Sequence, residues 1–236
     1  MTKLIIRTTL FVLLTCFSSI LAKAQAGYDY AQYDLGASVG FNQFYGDVAT
    51  AKSTKAITFN FNYNQTPFIN YIAEFQAGKL EGGDANKDFL GRQFSTDYTY
   101  FAFRIQVQAG EIIDYSQSKV ANAFRNFYVG AGIGVAYDNV TQINRYSILD
   151  PGYYTPGVNS SNQLFIPARI GYEFKIFNQY QQPGIKIDIG YQANIIFGDN
   201  IDGFKAGAHN DIFSQFTIGA KFSIGGVTSY RKEISY

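Results

Sequence analysis

The chain is predicted to be all-β, an eight-stranded antiparallel transmembrane β-barrel of the outer-membrane type. Three observations lead there. The composition is that of strands: 236 residues hold 19 Tyr, 22 Phe and 23 Gly, with no Trp and only 16% charged residues, whereas a helical protein leans on Leu, Ala, Glu and Lys. Eight segments alternate apolar and polar residues with a period of two. Several of them reach ten residues or more, above the usual five or six of a soluble strand and close to the roughly 9–11 tilted residues that cross a bilayer. The lack of an 18-residue uncharged apolar run argues against a helical span and leaves a barrel open, since barrels leave little trace in hydropathy.

The first 26 residues are expected to be an export signal and not part of the fold. Lys3 and Arg7 form a basic start, Leu10 to Leu21 is an apolar stretch too short to span as a helix, and Ala22-Lys23-Ala24 and Ala24-Gln25-Ala26 are small-x-small cleavage patterns. Cys16 lies inside the apolar stretch and leaves with it, so the mature chain has no thiol or disulfide chemistry. Removal of Lys3, Arg7 and Lys23 leaves a net charge of −2, which provides no basic field for nucleic acid.

The eight segments are Tyr33 to Asn42, Ile57 to Asn64, Ile69 to Gly78, Tyr98 to Val107, Phe127 to Tyr137, Leu164 to Ile176, Ile185 to Ile195 and Ile212 to Ile224. On one face of each, only Thr99 and Ser214 are not apolar, and none is charged. The other face carries Asn, Gln and Gly, including Gly36, Gly40, Gly130, Gly132 and Gly134, in place of the Lys, Glu and Thr of a solvated surface. An apolar outside and a small, polar inside suit a narrow barrel in lipid better than a soluble lipocalin-like carrier. The connections measure 14, 4, 19, 19, 26, 8 and 16 residues. Long and short alternate except at Gln108 to Asn126, where a short helix around Ser118 to Arg125 is expected. Short turns belong to the periplasm, so both termini should lie there, with the stretches around Asp47, Asp84, Asp150 and Asp202 outside. The barrel is assigned to residues 27–224, followed by a short periplasmic tail, 225–236.

Particular strings resemble a family. Gly36-Ala-Ser-Val-Gly-Phe-Asn-Gln-Phe-Tyr-Gly-Asp47, Phe127-Tyr-Val-Gly-Ala-Gly-Ile-Gly134, Ile166-Pro-Ala-Arg-Ile-Gly-Tyr172 and Gly198-Asp-Asn-Ile-Asp-Gly203 followed by Ile218-Gly-Ala-Lys-Phe-Ser-Ile224 are similar to the small outer-membrane barrels of Bacteroidetes-type bacteria. That family includes OmpA-like barrels and barrel components of type IX secretion and gliding. The resemblance implies location and fold, and a structural or interaction role in the cell envelope.

Candidate chemistry is sparse. His209, in His209-Asn-Asp211, is the only histidine; a lipid-modifying site centred on it would need a nucleophile within about 3 Å, yet Ser214 falls on the lipid-facing register. Asp199-Asn-Ile-Asp202-Gly203 reads as a turn, because Ile201 occupies a position where a calcium loop needs an oxygen. Gly130-x-Gly132-x-Gly134 lies inside a strand and packs the lumen. No catalytic residue, cofactor or metal is expected. The inward charges Asp34, Glu74, Arg104, Arg169, Glu173, Lys175, Lys186, Asp188 and Lys221 are expected to form a paired structural network, with a small pore as the alternative. Around the turn at Gln182-Pro183-Gly184, either Lys175 faces Lys186 and the opposite charges meet in close diagonal pairs, or a two-residue slip sets Lys175 against Asp188 or Glu173 against Lys186; external-loop Asp202 serves as the comparison for Asp188. Expected partners are outer-membrane lipid and other envelope proteins, met through the external loops or the periplasmic face.

Overall fold

The structure, a computed structural model, describes residues 27–46, 48, 50–86, 90–116, 118–147, 150, 152–198, 200–205 and 211–231. Residues 1–26, Asp47, Asp199, His209 and 232–236, on which several of the expectations above fall, lie outside the described residues. Eight strands, β1 (Gly27–Tyr45), β2 (Ser53–Asn64), β3 (Ile69–Gly83), β4 (Gln93–Gln108), β5 (Phe127–Asn144), β6 (Ser160–Phe177), β7 (Pro183–Ile196) and β8 (Ile212–Arg231), pair antiparallel in chain order and close into a barrel. Two short helices, α1 (Ala109–Ile112) and α2 (Lys119–Phe124), lie between β4 and β5. Ser118 caps α2, its hydroxyl accepting from the Ala121 amide.

Closure is set by register. Followed from partner to partner, Tyr33 leads through Tyr63, Tyr71, Ile105, Ala131, Ala168, Ala193 and Ser214 back to β1 at Gln43, ten residues from the start. A shear of ten over eight strands tilts them by roughly 40° and leaves a bore only wide enough for side chains. Small inward residues are therefore obligatory. A Cβ on Gly171 would lie 2.4 Å from the Tyr128 hydroxyl that fills the lumen, and one on Gly132 would lie 1.9 Å from the Phe103 carbonyl oxygen of the adjacent strand. The β5–β6 ladder opens at the same height, where Pro167 lacks an amide to donate.

The outward face is an apolar belt. Leu35, Val39, Ile57, Phe59, Phe61, Phe75, Phe101, Phe103, Ile105, Ile133, Ile170, Ile218 and Phe222 are all exposed, in a ring far larger than the few hundred Å² of contiguous apolar surface that a soluble monomer tolerates. Aromatic side chains edge it: Tyr33 packs on Phe61 and Tyr63, and Tyr63 on Tyr71, as at a membrane interface. At the opposite edge the first outward charges appear, Lys55 and the Lys79–Asp97 pair (3.6 Å). This is a transmembrane barrel. Its turn end carries the connections 65–68, 109–126 and 178–182, and its loop end carries 46–52, 84–92, 145–159 and 197–211.

The strands run further than the alternation indicated. At the loop end β3 continues to Gly83, β4 starts at Gln93, β5 ends at Asn144 and β6 begins at Ser160. At the turn end β1 and β8 continue as a ribbon, Gly27 to Ala31 against Val227 to Arg231, beyond a bulge between Ala31 and Tyr33. The stretch read as a tail is thus mostly strand. Beyond hydrocarbon both faces meet water or loops, so the ladder continues without the contrast that reveals it in sequence.

A cation in the belt has no hydration, and Arg near the bilayer midplane costs about 2–4 kcal/mol. Phe59 is 57% exposed at mid-belt. Phe59→Arg should lower folding stability in lipid vesicles by about that amount, while Tyr146→Arg in a loop-end connection, which loses only an exposed ring contact with Tyr154, costs about 1 kcal/mol or less, as read by urea titration.

Candidate functional site

The lumen is where the structure gathers polar chemistry, in three layers. At the loop end Phe44, Leu80, Phe94 and Ile196 pack with Ile201 and Phe204 of the last connection, the Phe44 and Phe94 rings edge to face at 4.9 Å. The chain re-enters here through a turn: the Gly203 amide donates to the Asn200 carbonyl at 3.0 Å and the Phe204 amide to Asp202 Oδ1 at 2.9 Å, with Gly203 at φ +80°. Asp202 is fully buried, which corrects its use as a solvated loop position. An apolar pair, Ile201 and Phe204, three apart and flanked by Asn200, Asp202 and Lys205, was the signal for this plug.

Below the plug, tyrosines convert an apolar layer into a polar one. Tyr98 and Tyr100 are stacked (6.2 Å), and Phe165 meets Tyr100 edge to face (5.0 Å). The Tyr98 hydroxyl accepts from Asn42 Nδ2 at 2.8 Å and from Gln76 Nε2. Tyr100 donates to Glu74 Oε1 at 2.5 Å, and its oxygen also lies 2.9 Å from Gln76 Oε1.

Asp138, near the loop end of β5, is inward and buried, its Oδ1 accepting from the Ser161 hydroxyl at 2.6 Å; the nine charges expected to point inward occupy the middle and the turn end. Each is in an ion pair. Arg104 pairs with Glu74 (3.1 Å), Arg169 with Asp188 (2.5 Å), and Lys186 with Asp34 (2.7 Å). Lys221 bridges Glu173 (2.8 Å) and Asp188 (3.0 Å), and Lys175 lies 3.9 Å from Glu173. Tyr128 accepts from Arg169 Nε (2.8 Å) and donates to Asp188 (3.0 Å). Asp34 also accepts from Asn64 (2.9 Å) and Ser223 (2.8 Å). All eight strands are tied in, with β2 entering through Asn64 and β5 through Tyr128. Sequence reasoning missed Tyr100, Tyr128, Gln76 and Asn64 as partners; their inward register was legible, but which groups they reach across the bore was not.

Of the two arrangements expected at the β6–β7 hairpin, the register is the unslipped one. Lys175 faces Lys186 directly, and Glu173 faces Asp188; Lys186 faces Lys221 in turn. The unfavourable facing pairs are offset by third strands: β8 inserts Lys221 between the two carboxylates, and β1 supplies Asp34 to Lys186. A hairpin alone would disfavour this register by up to about 1 kcal/mol, but a closed ring supplies partners from across the bore.

The turn end is also closed. Phe68 packs against Tyr115 (5.5 Å) and Tyr230 (5.8 Å), with Tyr30 and Ala121 in the same cluster. Burial raises the Tyr115 hydroxyl pKa above the usual phenol value. Lys175 locks this layer: Nζ donates to the Pro67 carbonyl (2.6 Å) and to Gln108 Oε1 (2.7 Å), and sits 4.7 Å above the Phe68 ring. Between the plugs lies a cavity of about 10 Å³, lined by Ser38, Asn60, Glu74, Arg104, Arg169 and Lys221 among others. That is room for about one water. Among the described residues no group of His, Cys, Asp and Glu could hold a metal ion. Ser214 lies on the outward register, between inward Phe213 and Gln215.

No protein-family model and no curated protein matches the sequence. Similar solved structures include Neisserial surface protein A (11% identity, 84% of this chain and 99% of that one, TM-score 0.46). Two more are Ail, the attachment invasion locus protein of Yersinia pestis (12%, 82% and 98%, TM-score 0.44), and the outer membrane protein OprG from Pseudomonas aeruginosa (11%, 84% and 99%, TM-score 0.36).

Asp188→Ala leaves Arg169 and Lys221 confined with a partner missing, and breaking a buried pair costs about 3–5 kcal/mol. Asp97→Ala removes only the exposed pair with Lys79 and should cost less than about 1 kcal/mol. The comparison is read as the difference in urea midpoint between the two variants in the same vesicles. Equal midpoints would mean a hydrated lumen.

Proposed function

We propose that this is a non-enzymatic outer-membrane barrel with a structural or protein-interaction role, acting through its rims and not through its lumen. The observation that carries this reading is the closure of the bore at both ends around a paired network with space for about one water. Charges bound to one another at 2.5–3.1 Å in four separate pairings are committed to holding strands together. A conduit would need them to exchange partners with a passing ion.

The loop end offers a surface for interaction. Connection 145–159 exposes Tyr146, Tyr153, Tyr154 and Val158 beyond the belt, with Tyr146 and Tyr154 bridged through their backbones and their rings 5.2 Å apart. Aromatic side chains presented this way give large contact area at low conformational cost. We place the loop end outside the cell and the turn end, with both strand termini, in the periplasm. Apart from 109–126, the turn-end connections, 65–68 and 178–182, are shorter than those at the loop end, which supports this orientation. The resemblance of the strand motifs to envelope-assembly barrels makes another envelope protein the expected partner.

Protease added to intact cells should cut within 84–92 or 145–159 and spare Thr66-Pro67; cleavage at Pro67 would invert the topology. Refolded protein in a planar bilayer should show no unitary conductance, and reproducible steps would return the lumen to a transport role. A photo-crosslinker at Tyr153 in living cells should yield a discrete protein adduct. Adducts with lipid alone would sink the interaction reading.

A further inference from the structure

The connection 109–126 does more than close the lumen. Its inward residues suffice for that: Tyr115 and Ala121 pack into the turn-end cluster, and Asn122 and Arg125 are buried. Yet the same segment leaves Ile112, Val120 and Phe124 exposed, at 79%, 67% and 58%. Val120 and Phe124 are four residues apart, so they form one stripe on α2, opposite its buried side. A plug facing only water would have no use for that stripe.

The helix is fastened to the lipid-facing wall. Tyr172 stands on the outward register of β6, opposite Phe127 of β5 and packed on Phe174 at 4.6 Å, and its hydroxyl donates to the Ala123 carbonyl at 2.6 Å. Phe127, exposed and three residues beyond Phe124, continues the same surface into the belt. The stripe on α2 is therefore an extension of the aromatic girdle. Three side chains are far too few for a protein interface, which buries about 800 Å² per partner, whereas an interfacial helix needs only to set an apolar face about 5–10 Å below the headgroups. Lys119, exposed beside Val120, is a cation suited to lipid phosphates.

We propose that α2 is an in-plane membrane anchor, with Val120 and Phe124 set into the phospholipid leaflet at the turn end of the barrel. This rests on the transmembrane reading of the belt, and it accounts for a long connection where short turns are the rule. The anchor pins the plug to the leaflet, so that the cap over the lumen is held by lipid as well as by Lys175.

The chain contains no Trp, so single substitutions report without background. Phe124→Trp, Val120→Trp and, as a mid-belt reference, Phe103→Trp are folded into phosphatidylcholine vesicles brominated either near the glycerol or near the chain ends, each variant first checked for the faster migration of an unheated barrel on a gel. The expected result is blue-shifted emission from both helix variants, quenched several-fold more by shallow than by deep bromine, and the reverse preference for Phe103→Trp. Water-like, unquenched emission from both helix variants beside a quenched Phe103→Trp would overturn the anchor alone. Unquenched emission from all three would overturn the membrane reading and the anchor with it.

Discussion

A strand that faces hydrocarbon finds no water for its amides and carbonyls, so the pairing of β1 with β8 is the constraint on which the rest depends. Without that seam both edge strands would expose unsatisfied backbone to lipid, each group costing several kcal/mol. With it, the strand number and the shear of ten determine the bore. A bore this narrow must be filled by side chains, which is why glycines such as Gly171 and Gly190 stand where the Tyr128 side chain crosses it.

The filling is ionic where an apolar core would also have fitted. Buried ion pairs give little net stability over apolar groups of the same volume, because desolvation cancels most of the attraction. What they add is discrimination between registers. A one-residue slip of β7 would turn Lys186 and Asp188 outward into lipid, and a two-residue slip would keep them inside but misplace them against Lys221, Asp34 and Arg169. The network thereby defines which closed barrel forms, and the direct facing of Lys175 with Lys186 is tolerated as part of that arrangement.

The two ends of the bore are sealed by different means. At the loop end an apolar turn folds back over Tyr98, Tyr100 and Phe213, while at the turn end Lys175 gathers the hairpin carbonyl of Pro67, the amide side chain of Gln108 and the Phe68 ring. In the proposed reading the outer surfaces carry function: an aromatic patch beyond the belt at one end, and the exposed stripe of α2 at the other.

The alternation of side chains determined most of this protein. Period two assigned the eight strands, and the absence of charge on one face of each identified lipid as its solvent, because a single cation there is costly enough to be seen as a missing residue type. The same parity placed all nine charges inward. Parity says which face, not which partner. It could not tell that Lys221 lies between Glu173 and Asp188, since that depends on strands far apart in sequence meeting across the bore. Nor could it follow strands past the hydrocarbon, where both faces are solvated, or reveal that Ile201 and Phe204 turn inward, since an apolar pair in a loop acquires a direction only when a mouth of the right width stands beneath it. Side-chain solvent preference is local and written residue by residue, whereas pairing in a closed ring is a property of the circumference, and only the tertiary structure decided it.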